Sequence, residues 1–279
     1  MTDAAPETIA SRLRVELLRL QKLEHFDELA LRRLEREAEA LKAVDLHAYY
    51  MVRGMIASVS FDGDGVRHNF RAALALGSAS LDCLNYAVSL VVANEFEHAT
   101  EVANSYEGQY LDDITFQKGM VNILVECAAM ESAARWTRAW CETSTPNPLS
   151  DDPIARDGLR CKWGALSRDY SLLVASLRAF DRWSEKAGMP ETELVRAAQV
   201  YRQWLREKGR RRPQVRWHAT YLMADDYPTL VYQSVLYGLD AAHGSELEIE
   251  AIEHMMQHDL PAFDAALFSV GVKAKREAA

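Results

Sequence analysis

Residues 50–73 read YMVRGMIASVSFDGDGVRHNFRAA and residues 85–99 read NYAVSLVVANEFEHA, and the fold turns on how these two stretches align. In the first, Tyr50, Gly54, Phe70 and Ala73 mark one helical hairpin. In the second, Asn85, Ala87, Leu90, Asn94, Phe96 and Ala99 mark another. Superposition lays Val66 on Ala99, a shift of about 33 residues, which is the spacing of a repeat whose unit is a pair of helices. Units of that kind bury a continuous core only by stacking, so further hairpins are expected on either side.

Within the first hairpin the pattern predicts one helix over Leu46–Ser60 and a second over Val66–Leu76, with Asp62-Gly63-Asp64-Gly65 as a glycine-rich turn. Gly54 has no side chain and admits a close approach of the paired helix. The Asp-Gly-Asp-Gly run lacks the further oxygen ligands and the twelfth-position glutamate of a calcium loop, so no calcium site is assigned. Gly77 closes the second helix, and Ser78 and Ser80 are placed to cap the next. Leu81–Ala93 and Glu97–Leu111 form the second pair. Ile114–Ala128 and Glu131–Cys141 form a third, with Ala133 about one period beyond Ala99.

Upstream, Leu13, Leu17 and Leu20 predict a helix ending near Lys22, and Asp27 is placed to cap another with Leu31, Leu34, Ala38 and Leu41 on its apolar stripe. Arg32, Arg33, Glu35, Arg36 and Glu37 read as a solvated face held by i,i+4 pairs. Downstream, the proline-containing run Ser144–Pro153 breaks the pattern. Pro153–Ala165 and Asp169–Lys186 follow as a helical pair, the second with Tyr170, Leu173, Leu177 and Phe180 on its core stripe. Glu191–Lys208, with Leu194, Ala197, Ala198, Tyr201 and Leu205, is the last helix of the series.

The character of the chain changes at Gly209-Arg210-Arg211-Arg212-Pro213. Val215–Met223 alternates in the manner of a strand, Ala224–Asp226 turns, and Tyr227–Gly238 is a second strand. Ser245–His258 is helical, Pro261–Phe268 reads as a short helix and Phe268–Lys273 as a third strand. A lone hairpin is marginal in water, so this unit must dock on the helices or pair its edge with another chain.

The intervals in residues 50–73 and 85–99 resemble those of tetratricopeptide repeats, the second stretch following N-x-A-x-x-L-x-x-x-G-x-F-x-x-A with Asn94 in place of glycine. The likeness covers about Tyr50–Cys141 and lacks the proline that usually ends each unit. With the periodicity, it implies a mainly α fold: an α-solenoid of antiparallel helix hairpins over residues 1–209, followed by a small ββα (α+β) unit over 210–279. It also implies a concave groove lined by the first helix of each hairpin. Carried over position by position, that lining is Met51, Met55, Asn85, Val88, Lys118, Asn122 and Glu126, and its occupant is a peptide or protein partner. The two asparagines are then placed to hold a peptide backbone.

The chain has 279 residues, 49% hydrophobic and 26% charged, which suits one solenoid with a small appendage or two modest domains. A net charge of −9 opposes non-specific attraction to nucleic acid or anionic lipid over the surface as a whole. Cys83, Cys127, Cys141 and Cys161 have no C-x-x-C spacing and read as free thiols in a reducing compartment. No apolar run approaches the roughly 20 residues of a membrane span. Met1–Ala10 lacks the basic and apolar regions of a secretory signal, so a cytoplasmic location is expected.

Motifs for catalysis are missing: there is no G-x-x-x-x-G-K-[ST], no G-x-G-x-x-G after a strand, no G-x-S-x-G and no H-E-x-x-H. No enzyme activity and no cofactor are expected. His254 and His258 are four apart on one helix, with Glu250 a turn earlier and Asp259 adjacent, but the spacing is unspecific and no metal is assigned. The strongest local charge is Arg202, Arg206, Lys208, Arg210, Arg211, Arg212 and Arg216, flanked by Trp204 and Trp217. Basic side chains interleaved with aromatics fit phosphate and bases, so a regulator contacting nucleic acid through Arg206–Arg216 is the alternative to a protein-binding adaptor. The C-terminal hairpin also offers an edge for homodimerisation.

Overall fold

The computed structural model describes residues 6–22, 27–142, 180, 183, 188–209, 214–221, 228–237, 239–261 and 266–273. Its contacts divide the chain into two compact units, Met1–Ala103 and Asn104–Ala279.

The first unit opens with α1 (Pro6–Lys22) and α2 (Glu28–Glu39). Leucines at helical spacing bury Leu13 and Leu17 of α1 and Leu31 and Leu34 of α2, with Ala38 and Leu41 continuing the stripe. The Asp27 carboxylate caps α2 by accepting from the Ala30 N–H at 2.9 Å. The charged face of α2 is paired in two ways. Arg32 meets Glu28 within the helix at 2.5 Å, whereas Arg12 of α1 meets Glu37 at 2.6 Å and Arg33 meets Glu16 of α1.

Next come α3 (Leu46–Val59), α4 (Gly63–Leu76), α5 (Ser80–Val92) and α6 (Phe96–Ser105), the last ending across the division. Asp45 caps α3. Packed by α1, α2, α4 and α5, α3 is buried at every residue from Ala48 to Val59 except Tyr50 and Arg53. Gly54 is the point of closest approach to α4: a Cβ there would lie 2.4 Å from the Phe70 ring.

Two local expectations change. The Asp-Gly-Asp-Gly run is not an inter-helix turn but the first turn of α4, because the Asp62 carboxylate accepts from the Gly65 N–H at 2.8 Å and starts the helix three residues early. Neither Ser78 nor Ser80 caps α5. Ala79 holds the cap position, and its N–H donates back to the Asp82 carboxylate at 3.2 Å.

In the second unit, α7 (Ile114–Glu126), capped by Asp113, is followed by α8 (Met130–Glu142) and α9 (Glu191–Glu207). The helix expected to run to Leu111 stops at Ser105. Residues 106–112 turn through Gly108 and Tyr110 at φ 79° and 50°, and buried Gln117 holds the Gln109 and Tyr110 carbonyls. Of the pair expected over Pro153–Lys186, all but Phe180 and Trp183 lie outside the described residues. Those two are helical and buried, with ring centroids 5.7 Å apart.

The C-terminal part forms β1 (Gln214–Tyr221), β2 (Pro228–Tyr237), α10 (Ala241–Met256) and β3 (Ala266–Lys273). The sheet order is β1-β2-β3, antiparallel between β1 and β2 and parallel between β2 and β3, so α10 is the crossover that a parallel pair requires. Residues 266–268 are strand and not the end of a short helix, because Ala266 to Phe268 pair with Leu230 to Tyr232. The hairpin is not isolated. The Tyr201 hydroxyl of α9 donates to the Ser269 carbonyl at 2.7 Å, and the Tyr201, Tyr232 and Phe268 rings pack with centroids 5.5–5.8 Å apart.

One geometry recurs along the chain. Phe61, Asn94 and Ala128, 33 and 34 residues apart, all have positive φ, at 60°, 66° and 67°. In each, that residue donates to the carbonyl three back, and the next residue donates to the carbonyl five back: Asp62 to Ala57, Glu95 to Leu90, Ala129 to Leu124. This left-handed closure satisfies the terminal carbonyls of α3, α5 and α7 in the same way. The next helix then begins on equivalent bonds, from Val66 to Asp62, Ala99 to Glu95 and Ala133 to Ala129, and all three donors' side chains are buried.

Candidate partner-binding surfaces

The residues expected to line a groove separate by burial. Met51 and Met55 are 0% and 4% exposed. They belong to the core because α1 and α2 pack on α3 and enclose it, a tertiary contact that helix periodicity does not report. Asn85 and Val88 on α5 are half-buried. In the other unit, Lys118 is half-buried and Asn122 exposed on α7. Glu126, a turn further along α7, carries the end of that helix. Its carboxylate meets Arg202 Nη1 of α9 at 3.2 Å, and its carbonyl accepts from the Tyr232 hydroxyl of β2 at 3.1 Å.

Arg202 therefore leaves the basic run. Its side chain is 7% exposed and lies under Glu126. Burial alone would depress the guanidinium, but the Tyr232 hydroxyl and the Glu126 carboxylate outweigh it and hold the pKa above the ordinary arginine value. Burial raises both the Tyr201 and Tyr232 hydroxyls, so they stay neutral donors. The signal for Arg202 was present in the sequence: it lies on the stripe of Leu194, Ala198, Tyr201 and Leu205, a buried face.

The rest of the run offers little free charge among the described residues. Arg206 is half-buried, with its guanidinium lowered by desolvation. Lys208 is paired with Glu250 of α10 at 2.5 Å and lies 5.9 Å from the centre of the Trp204 ring. Trp204 is 4% exposed and has no face open for stacking on a base. Arg210, Arg211 and Arg212 lie outside the described residues, and Arg216 stands in β1 opposite Gln233.

Two polar clusters escaped the sequence analysis. In the first unit, Glu95 receives Arg67 at 2.8 Å and His98 at 3.0 Å. Gly63 makes room for it, since a Cβ there would lie 2.1 Å from the Glu95 carboxylate. In the second, Glu191 at the start of α9 accepts from both the N–H and the hydroxyl of Ser132, each at 2.8 Å. Glu191 thus caps α8 from another helix, a partnership between residues too far apart in sequence for any local capping pattern to reveal. Burial raises the Glu191 carboxyl above its ordinary range, with the Ser132 bonds pulling the other way. Ser132 also accepts from Asn104 at 3.0 Å, and Arg135 pairs with Glu107 at 2.8 Å.

Among the described residues no three His, Cys, Asp or Glu side chains group to hold a metal ion, and no helix is long and apolar enough to cross a membrane. Glu250 turns to Lys208 and not to the histidines. Cys83 and Cys127 are buried free thiols. No family model, no curated protein and no solved structure matches this chain. The protein is mainly helical, with neighbouring helices in contact and a small C-terminal sheet.

Proposed function

We propose that this chain is a non-enzymatic interaction module, an adaptor or chaperone-like protein built on tetratricopeptide-like hairpins, which holds a peptide or protein partner. The observation that carries this reading is the recurrence of one helix-ending geometry at Phe61, Asn94 and Ala128. A unit that recurs at 33–34 residues repeats the face of its first helix, and repeated helix faces of this kind are interaction surfaces wherever other helices leave them uncovered. The contact residues in this proposal form two separate faces, Asn85 and Val88 on α5 of the first unit and Lys118 and Asn122 on α7 of the second, which keep surface while Met51, Met55 and Glu126 serve the fold.

The test compares the wild-type chain with Asn85→Ala, Asn122→Ala and the double variant in affinity capture from native cells after nuclease treatment. Retention of a stoichiometric protein that the double variant loses, with an unchanged thermal melt, supports the reading. Equal retention by the double variant removes these faces from the account.

A further inference from the structure

Six of the chain's eight histidines have described side chains, and they differ in what they touch. His47 faces Asp82 at 3.3 Å, His98 faces Glu95 at 3.0 Å and His243 faces Asp240 at 2.8 Å. His68 is exposed on α4. His254, in the last turn of α10, and His258, just beyond it, instead meet each other, with ring centroids 4.7 Å apart and planes inclined by 55°. Among the described residues neither ring has a hydrogen-bond or ion-pair partner. Trp204 closes one side, its ring centre 6.3 Å from that of His254. Two imidazoles with unengaged nitrogens at this separation are within reach of a single cation.

Lys208, the nearby positive group, is paired with Glu250 at 2.5 Å. Glu207 of α9 is the negative charge that acts on His254, opposed by Lys208 and by the His258 ring. We propose that His254 and His258 bind one divalent ion of the zinc class, which prefers imidazole nitrogen, with water completing the coordination. No third side chain of the metal-ligating types joins them among the described residues, so the site is an exchangeable one, not a closed structural centre. An ion held there ties the segment after α10 to its last turn and rests beside Trp204.

The test is calorimetric titration of zinc chloride into the full chain without an affinity tag, alongside His254→Gln, His258→Gln and His243→Gln. Either of the first two substitutions should weaken zinc binding by at least about tenfold, the loss typical of disturbing a metal site, while His243→Gln leaves it unchanged. Magnesium, which prefers oxygen ligands, should give no heat. In the unmutated chain, zinc should shift the ring resonances of His254 and His258 and leave those of His243 in place, which decides the matter even if a variant fails to fold. A chain that gives no zinc heat, zinc binding that both variants keep, or ring resonances of His254 and His258 that do not move would each overturn the proposal.

Discussion

Arg202 of α9 stands 3.2 Å from the carboxylate of Glu126 at the end of α7, and the two are unequally buried: the arginine side chain is 7% exposed, the glutamate 39%. Removing either partner therefore leaves a different problem. Glu126→Ala takes the carboxylate from a buried guanidinium and leaves it the Tyr232 hydroxyl, so it should cost about 2 kcal/mol, in the range for losing a charged hydrogen bond. Arg202→Met fills the space with an apolar chain and leaves a carboxylate that water already reaches, so it should cost only about 1 kcal/mol. Urea denaturation of the two variants measures the order. The reverse order would mean that Glu126 is not the main counter-charge of Arg202.

Gly54 faces the Phe70 ring at a distance no methyl group can share, 2.4 Å from the position of a Cβ. With α3 enclosed by four helices, the backbone has little room to yield. Gly54→Ala should destabilise by about 1–3 kcal/mol through overpacking. Adding Phe70→Leu should recover part of that loss, so the double variant should fall short of the sum of the singles in thermal or urea melts.

Glu191 sets a pH dependence. Burial, opposed by the Ser132 bonds, raises its folded pKa above the ordinary value of 4.5. A group whose pKa rises on folding contributes stability that is complete below its unfolded pKa and is lost as pH climbs through the folded value. The stability of the wild type relative to Glu191→Gln should thus improve as pH falls from neutral to below 4.5. A difference that stays flat across that window would show that the carboxyl is no harder to ionise in the folded chain than in the unfolded one.

Asn94 occupies the left-handed turn at φ 66°, where asparagine is tolerated and a β-branched residue is not. Asn94→Val should cost about 1–2 kcal/mol in thermal denaturation, whereas Asn94→Gly should stay within about 0.5 kcal/mol of the wild type. Equal losses in the two variants would place the cost in the asparagine side chain and not in the backbone.

Much of this architecture was legible because helix periodicity and local caps act over a few residues. Leu31, Leu34, Ala38 and Leu41 declared their buried stripe, Asp27 its cap, and Asn94 its glycine-like turn. What stayed hidden depends on contacts between distant segments. Met51 and Met55 look like groove residues until α1 and α2 pack on α3. Glu191 becomes a cap only because α9 reaches Ser132. Asp62 misled for a local reason: two glycines beside it suggested a turn, and its own carboxylate made the same residues a helix start. The basic run read as one patch because charge was counted along the chain. On the helix Arg202 turns inward and Lys208 is paired with Glu250.

The central claim is that the first helices of the repeated hairpins carry a protein partner, and one capture experiment addresses it most directly. The wild-type chain and the Asn85→Ala, Asn122→Ala double variant are recovered from nuclease-treated native extract in moderate salt, with co-purifying proteins quantified. The account predicts a stoichiometric protein on the wild type that is depleted on the double variant, while the two chains melt at the same temperature. A wild-type chain that retains no protein, or retains the same protein as fully when both asparagines are gone, would contradict it.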